Sequence, residues 1–372
     1  MTAKNRDRKI KIGCIGVGQI GKHHLENYSK IEDAEIVAIA DIDEAELQHV
    51  AAQYDVPHRY TDFRELLKRE DIEAVDVCLH NNLHRPVTVA ALEAGKHVYC
   101  EKPMAGSYLD AQVMYDKARD LGLNLSIQLR SLFDKEIKAA RSLVDQGLVG
   151  KPYHARSTGY RRRGRPYVDG YGTSSFVQKK HASGGALFDM GVYHITEVLY
   201  LIDNPNPLRI SGKTYQETEI DPKRLSSSGY DVEELGIGFV RMEGDLALNI
   251  IEAWAIHLDA FEGSYIVGDR GGVRLRPFGF FQSAIDLDLS ATADLGLFNF
   301  RQQNVRACAE AFEGPQRHWI AALQGGVDLL PTAELALNTM LISEGIYRSN
   351  ELGREVTADE VKGDSKTTAV SA

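Results

Sequence analysis

The sequence predicts an α/β chain with a parallel, doubly wound sheet over residues 1–128 and an α+β region with antiparallel sheet over 129–362. Three observations carry this. Short apolar strands alternate with helices of about 10–15 residues as far as residue 130. The alternation then fades into longer strand-like stretches joined by tight turns. A glycine-rich turn stands between the first strand and the first helix. The length, 372 residues, suits two domains at roughly 100–200 residues each.

The elements follow in order. Residues 10–15 read as a strand, with a helical stretch near 20–30 after the glycines. Residues 35–40 form a second strand ending at Asp41, and 43–53 a second helix. Further strands are expected at 75–79, 96–100 and 123–128. Helices are expected at 85–94, stopped by Gly95, and at 107–121. One more helix ends near Gln146, before Gly147. Residues 232–243 and 246–257 make the clearest antiparallel pair, joined at Glu243-Gly244-Asp245. Residues 265–267 and 273–275 flank another turn. Helical pattern returns at 305–312, 319–323 and 332–348. The polar segment 363–372 is expected to be a flexible tail.

Composition narrows the function classes. An apolar share of 43% with 26% charged residues suits a soluble globular enzyme. The net charge of −10, from 43 basic and 53 acidic side chains, argues against nucleic acid or acidic lipid as partner. One basic cluster, Arg161-Arg162-Arg163-Gly164-Arg165, is either a solvated loop or one that binds an anion or covers a pocket. Cys14, Cys78, Cys100 and Cys308 form no Cys-x-x-Cys pair and read as free thiols of a reducing compartment. No metal is expected. The basic, glycine-broken N-terminus does not read as a signal peptide, and no run of about 18 apolar residues suggests a membrane span. The cytoplasm is the expected location.

The turn Gly16-Val17-Gly18-Gln19-Ile20-Gly21 fits G-x-G-x-x-G. Alone the pattern is weak. Here it follows a strand, opens a helix, and precedes an acidic strand end, Asp41, by 20 residues. That is the context of a Rossmann dinucleotide fingerprint. Gly16 permits the tight turn, Gly18 admits the pyrophosphate, and Gly21 lets helix and strand pack. Asp41 is expected to accept from the adenosine ribose. Its charge, with Ile42 and Asp43 beside it and no cation, favours NAD over NADP.

Charged residues at a strand's carboxyl end lie where ligands bind in such sheets. Lys102 stands there, in Glu101-Lys102-Pro103, just after the strand at 96–100. Gln128 and Arg130 leave the last strand of the same sheet. They are candidates for the cofactor and substrate sides respectively.

Four stretches now carry a family likeness: GVGQIG at 16–21, HNNLH at 80–84, AGKHVYCEKP at 94–103 and GGALFDMGVYH at 184–194. GIYRSNELGREV at 345–356 adds to it. Together they resemble the glucose–fructose oxidoreductase / inositol dehydrogenase (Gfo/Idh/MocA) family over nearly the whole chain. The resemblance implies a Rossmann domain followed by a domain with a large open, mostly antiparallel sheet. It also implies C-terminal helices packed back on the first domain, and a homo-oligomer, dimer or tetramer, through that sheet. Lys102 matches the lysine that touches both substrate hydroxyl and nicotinamide ribose. His80, Asn81 and His84 match the segment on the nicotinamide side, and Glu101 precedes the lysine as in the family. Asp189 matches the acidic residue of the second motif.

Many members carry histidine four residues after that aspartate. Here Tyr193 holds the place and His194 follows. Positions four apart share a helix face, which favours Tyr193 as the proton-transfer group. An irregular start to the helix would bring His194 in instead. Asp189 also suits a helix N-cap.

The expected reaction is oxidation of a secondary hydroxyl of a sugar, glycoside or inositol, C3 being one candidate position. The cofactor carries the hydride chemistry. Lys102 polarises the oxygen, and Tyr193 or His194 takes the proton. Tyr160, Arg163, Tyr167 and Lys180, in a dense polar run before the Asp189 motif, are candidate substrate contacts. Trp254 would stack on a sugar face or pack within its sheet. The alternatives are a keto-sugar reductase, an oxidoreductase that recycles tightly bound NAD(H), or a non-catalytic nucleotide sensor.

Overall fold

The computed structural model describes residues 8–371, and the N-terminal segment before Arg8 that bears on a signal peptide lies outside them. The first sheet is built from β1 (Ile10–Ile15), β2 (Ala34–Ala40), β3 (His58–Tyr60), β4 (Ala74–Val77), β5 (His97–Cys100) and β6 (Leu125–Ile127). Its order is β3-β2-β1-β4-β5-β6, parallel throughout. The helices between these strands are α1 (Gln19–Tyr28), α2 (Glu44–Tyr54), α3 (Phe63–Leu67), α4 (Asn81–Glu93) and α5 (Tyr108–Leu121). Burial on both faces makes the strands nearly continuous apolar runs, as parallel sheets require. β4, Ala74-Val75-Asp76-Val77, is buried at all four positions and carries one charge.

Among the described residues the second sheet has nine strands. They are β7 (Pro152–Tyr160), β8 (Pro207–Tyr215), β9 (Leu235–Met242), β10 (Leu246–Ala253), β11 (Tyr265–Gly268), β12 (Gly272–Arg274), β13 (Gly279–Ala284), β14 (Leu287–Ala291) and β15 (Val356–Thr357). The order is β14-β13-β12-β11-β7-β10-β9-β8-β15. Among the described residues only β7 and β10 pair in parallel in this sheet; the other pairs are antiparallel. The mostly antiparallel second sheet expected from sequence is thus present. The helices of this region are α6 (Lys135–Asp145), α7 (Lys179–Ala182), α8 (Val192–Leu201), α9 (Pro222–Ser228), α10 (Leu295–Val305), α11 (Pro315–Leu323), α12 (Thr332–Leu352) and α13 (Ala358–Asp364).

α12 packs against β8 and also against α5 and β6, and α11 touches α1, so the C-terminal helices hold the two sheets together. β9 alternates buried and exposed positions. Ile237 and Phe239 therefore point outward on a face that the chain leaves open. Among the described residues no helix is long and apolar enough to cross a membrane.

The tail corrects an expectation. Residues 365–370 are not loose. The Thr367 hydroxyl and the Thr368 backbone N–H donate to Asp110, the Leu109 N–H donates to Ser365, and the Val370 N–H donates to the Asn82 carbonyl. Polarity reads as disorder only when the polar groups have water alone as partner. Here the buried Asp110 carboxylate takes them.

Candidate active site

The glycine turn is built as a cradle. Gly16 has φ +91°, and a Cβ there would lie 2.3 Å from the Cys78 carbonyl oxygen. A Cβ on Gly21 would lie 2.0 Å from the Gly16 oxygen, whereas one on Gly18 meets nothing within 4 Å. Two glycines are thus required by packing, and the third leaves room for an approaching phosphate. α1 starts at Gln19 with no side-chain cap, so its first N–H groups stay available to an anion. Asp41 accepts from the Val17 N–H at 2.8 Å and from the Asp43 N–H at 3.0 Å, which aims the carboxylate beside the turn. Ile20 and Ile42 are exposed, Ile42 by 92%. Apolar surface on both sides of an acidic strand end suits an adenine and its ribose. The residues present fit a dinucleotide.

Lys102 leaves β5 at its carboxyl end, followed by a cis peptide to Pro103. Its Nζ donates to Asp189 Oδ1 at 2.9 Å and to the Asp189 backbone oxygen at 3.2 Å, and lies 5.0 Å from the Tyr193 ring centre. Asp189 Oδ2 accepts from the Trp254 indole N–H at 2.9 Å. Burial works against the lysine's charge, but Asp189, Tyr193 and Glu101 outweigh it and hold Lys102 above its ordinary pKa. Burial likewise opposes charge on Asp189. Lys102 and the indole N–H nonetheless keep that carboxyl below the usual range. Burial raises the Tyr193 phenol, and Lys102 offsets only part of the rise.

The Asp189 segment is not an α-helical cap. Leu187–Gly191 forms a π-helical turn that runs directly into α8, and the aspartate makes no capping bond. Its carboxylate is spent on Lys102 and Trp254 instead. Upstream, Glu233 receives the N–H groups of Gly185 and Leu187 and the Tyr347 hydroxyl, which braces the turn. Tyr193 is the residue brought to Lys102. His194 turns to Glu252, its Nδ1 lying 2.8 Å from Oε2. Burial would lower the His194 pKa, but Glu252 raises it on balance.

Residues 10–129 match the model of the GFO/IDH/MocA oxidoreductase family, NAD-binding Rossmann fold, and residues 137–274 match the GFO/IDH/MocA C-terminal domain. The chain belongs to this family. Among curated relatives, a D-glucoside 3-dehydrogenase of Escherichia coli is 29% identical over 72% of this chain and 77% of its own length. A myo-inositol 2-dehydrogenase of Thermotoga maritima is 31% identical over 52% of this chain, and the match spans only about half, 55%, of that relative. Among solved structures, an oxidoreductase domain protein from Kribbella flavida superposes with TM-score 0.78 at 19% identity over 94% of this chain and 99% of its own. A levoglucosan dehydrogenase in complex with NADH superposes with TM-score 0.74 at 18% identity, over 94% of this chain and 99% of its own. These two share the fold.

The remaining expected residues divide. Asn81 donates to the Ala182 carbonyl at 2.8 Å and Asn82 to the Lys180 carbonyl at 3.3 Å, joining the family's N-x-x-H segment to α7. His80 stands exposed with its ring 6.2 Å from that of His181. His84 departs from its expected role as a cofactor contact. It is fully buried, with Nδ1 2.8 Å from the Pro103 oxygen and Nε2 3.0 Å from the Leu79 oxygen. Both ring nitrogens are thus occupied by backbone. Gln128 is likewise buried, receiving the Tyr99 hydroxyl; it underlies the site rather than facing a cofactor.

On the substrate side, Trp254 does not stack. It is 0% exposed, and its N–H fixes Asp189. Arg163 pairs with Asp169, Tyr167 reaches Ser227, and Tyr160 donates to the Asp259 carbonyl. The first pair folds the 160–171 loop on itself, and the other two tie it to α9 and to the segment after β10. Arg165, from the basic cluster, is a buried strut between Asp169 and Glu234. Lys180 is exposed, and so is Arg130, whose charge bears on Tyr193. Arg161 and Tyr171, which belong to the same dense polar run and bond each other, both interact electrostatically with Asp189. Sequence reasoning gave no weight to His24 or Asp76. A charge in the middle of an all-buried strand was the available signal.

Proposed function

We propose that this protein is an NAD-dependent dehydrogenase that oxidises a secondary ring hydroxyl of a sugar, glycoside or inositol to a ketone. The observation that carries this reading is Lys102, held as an ammonium by Asp189 across the crevice at the carboxyl ends of the parallel strands. That crevice also holds the Gly16–Gly21 turn. The names of the relatives, an inositol 2-dehydrogenase and a glucoside 3-dehydrogenase, support a ring hydroxyl as the reacting group.

The alcohol must lose a hydride from carbon and a proton from oxygen. NAD, when bound, accepts the hydride and brings a positive charge that eases proton loss from its neighbours. Lys102 donates to the reacting oxygen and stabilises the negative charge that develops there. Asp189 holds the ammonium in that direction, and Trp254 holds Asp189. Tyr193, against Lys102, takes the hydroxyl proton as a phenolate, its own proton having left to solvent; added positive charge brings its raised pKa toward the working range. Arg130, Arg161 and Tyr171 supply hydrogen-bonding groups around the ring. The open face with Ile237 and Phe239 is a surface for a homo-oligomer.

The test follows NADH absorbance with myo-inositol, scyllo-inositol, glucose, levoglucosan and aryl glucosides. Any tightly bound cofactor is first released by heat or acid and assayed. Reduction of added or bound NAD by at least one polyol is the expected result. If none reduces either, the reading is wrong.

A further inference from the structure

Beneath the site lies a buried hydrogen-bonded chain that the mechanism above does not use. His24 sits three positions after Gly21 on α1, the helix that opens at the cofactor turn, and is 0% exposed. Its Nδ1 lies 2.8 Å from Asp76 Oδ2, and its Nε2 lies 2.9 Å from Glu101 Oε1. The other oxygen of Glu101 accepts the Lys102 backbone N–H at 2.9 Å. One side chain therefore spans from the cofactor helix, past β4, to the residue that fixes how Lys102 leaves β5.

The ring must donate at both nitrogens, because each faces a carboxylate oxygen at hydrogen-bond distance. A neutral imidazole would set a lone pair against one of them. Cys78, just after β4, donates its thiol to the other Asp76 oxygen at 3.3 Å, as an ionised carboxylate accepts. Tyr99, on β5, gives its hydroxyl to Gln128, whose amide nitrogen, itself a donor, stands 3.3 Å from the histidine Nε2; the shorter approach, 2.9 Å, is to the Glu101 carboxylate. Charges then alternate along the chain: Asp76, His24, Glu101, Lys102, Asp189. Burial opposes charge on Glu101, yet His24 and Lys102 keep its carboxyl below the ordinary range. Donor atoms of His24, Asp76 and Cys78 lie within 4.8 Å of one another, a spacing open to a metal ion. They are already spent on mutual hydrogen bonds, and burial keeps the Cys78 thiol protonated.

We propose that His24 is a positioning residue, which couples the cofactor-bearing helix to Lys102 through Glu101. It touches neither substrate nor cofactor. Through its Nε2–H it keeps Glu101 ionised and aimed at the Lys102 backbone. Its helix carries the turn that receives the pyrophosphate. The placement of the lysine and the placement of the dinucleotide are thereby fixed against one another. This inference rests on the dehydrogenase reading for its kinetic consequence, but not for its structural one.

Two near-isosteres separate the halves of the ring. In His24→Gln the amide nitrogen takes the place of Nε2 and keeps the bond to Glu101. In His24→Asn it takes the place of Nδ1 and keeps only the bond to Asp76. Three quantities are measured on the full chain: kcat, the dissociation constant of NADH by fluorescence, and the Nζ resonance of Lys102 by 15N NMR. For His24→Asn, kcat is expected to fall about 10–100-fold, as loss of one charge-assisted hydrogen bond allows. NADH affinity should change little, and the Lys102 resonance should move. For His24→Gln the fall in kcat and the movement of the Lys102 resonance should both be smaller, because the bond to Glu101 remains although the ring's charge and its bond to Asp76 are lost. Equal losses in the two variants, or a Lys102 resonance that stays put in His24→Asn, overturn the proposal. If the wild type oxidises no polyol, the dehydrogenase reading fails. The Lys102 resonances of the two variants then decide the coupling on their own.

Discussion

Replacing Trp254 by phenylalanine separates two roles for a tryptophan beside a sugar site. Phenylalanine keeps an apolar ring but removes the indole N–H that reaches Asp189 Oδ2 at 2.9 Å. Asp189 keeps its bond to Lys102 through Oδ1. A hydrogen bond to a charged group contributes about 1.5–3 kcal/mol, which corresponds to about 10–150-fold in rate if it is felt fully in the transition state. The effect should fall on kcat and be similar for small inositols and for bulky glycosides, because the ring is fully buried. A second signature is the pH profile. Lys102 and the indole N–H together hold the Asp189 carboxyl below its usual range. Losing one donor raises that pKa, so the acid limb of kcat moves to higher pH. Steady-state kinetics on the best polyol, across pH 5–9, read both. Unchanged kcat with a raised KM confined to glycosides with a bulky aglycone would refute this, since that is the behaviour of a stacking platform.

Three further perturbations test other parts of the account. Asp41→Ala should weaken NAD binding about 10–150-fold by loss of charged acceptors and narrow the preference over NADP, as read by titration of both cofactors. Deleting residues 365–372 strips the Thr367 and Thr368 donors from the buried Asp110. The thermal midpoint should fall on the order of 5 °C, whereas a loose tail would leave it unchanged. His318 is buried between Phe133 and Phe312, and its Nε2 accepts the Leu330 N–H at 2.9 Å. Burial pushes its pKa down to about 4. A histidine depressed in the fold contributes stability that is present above its unfolded value, near 6.5, and is lost as pH falls toward 4. The midpoint advantage of wild type over His318→Gln should therefore shrink between pH 7 and 4.5; a constant gap contradicts the neutral ring.

The first sheet was legible because its signals are local. Apolar runs, Gly16, Gly18, Gly21 and Asp41 all lie within one βαβ unit, and strand order places Lys102 at the crevice. The second sheet was read only in part. β9 and β10 alternate clearly, but β7 carries His154, Arg156, Ser157 and Thr158 and shows no such pattern. β14 is exposed along its length and was missed. The pairing of Lys102 with Asp189 spans 87 positions, which no periodicity can report; only the family likeness pointed to it. Trp254 shows what residue type leaves open. Its type allowed a sugar platform or packing within the sheet, and its burial selects packing, with the N–H as a brace for Asp189. His194 and Tyr193 are adjacent in sequence, yet Glu252, 58 positions on from His194, takes the histidine.

The most direct test of the central claim is Lys102→Met, assayed for NADH formation and for NAD binding on the same preparation. Methionine keeps the length of the side chain and removes the charge. The account predicts turnover reduced about 100–1,000-fold or more, as when a donor to a developing oxyanion is lost, with NAD affinity within several-fold of wild type. Turnover near the wild-type level would contradict it.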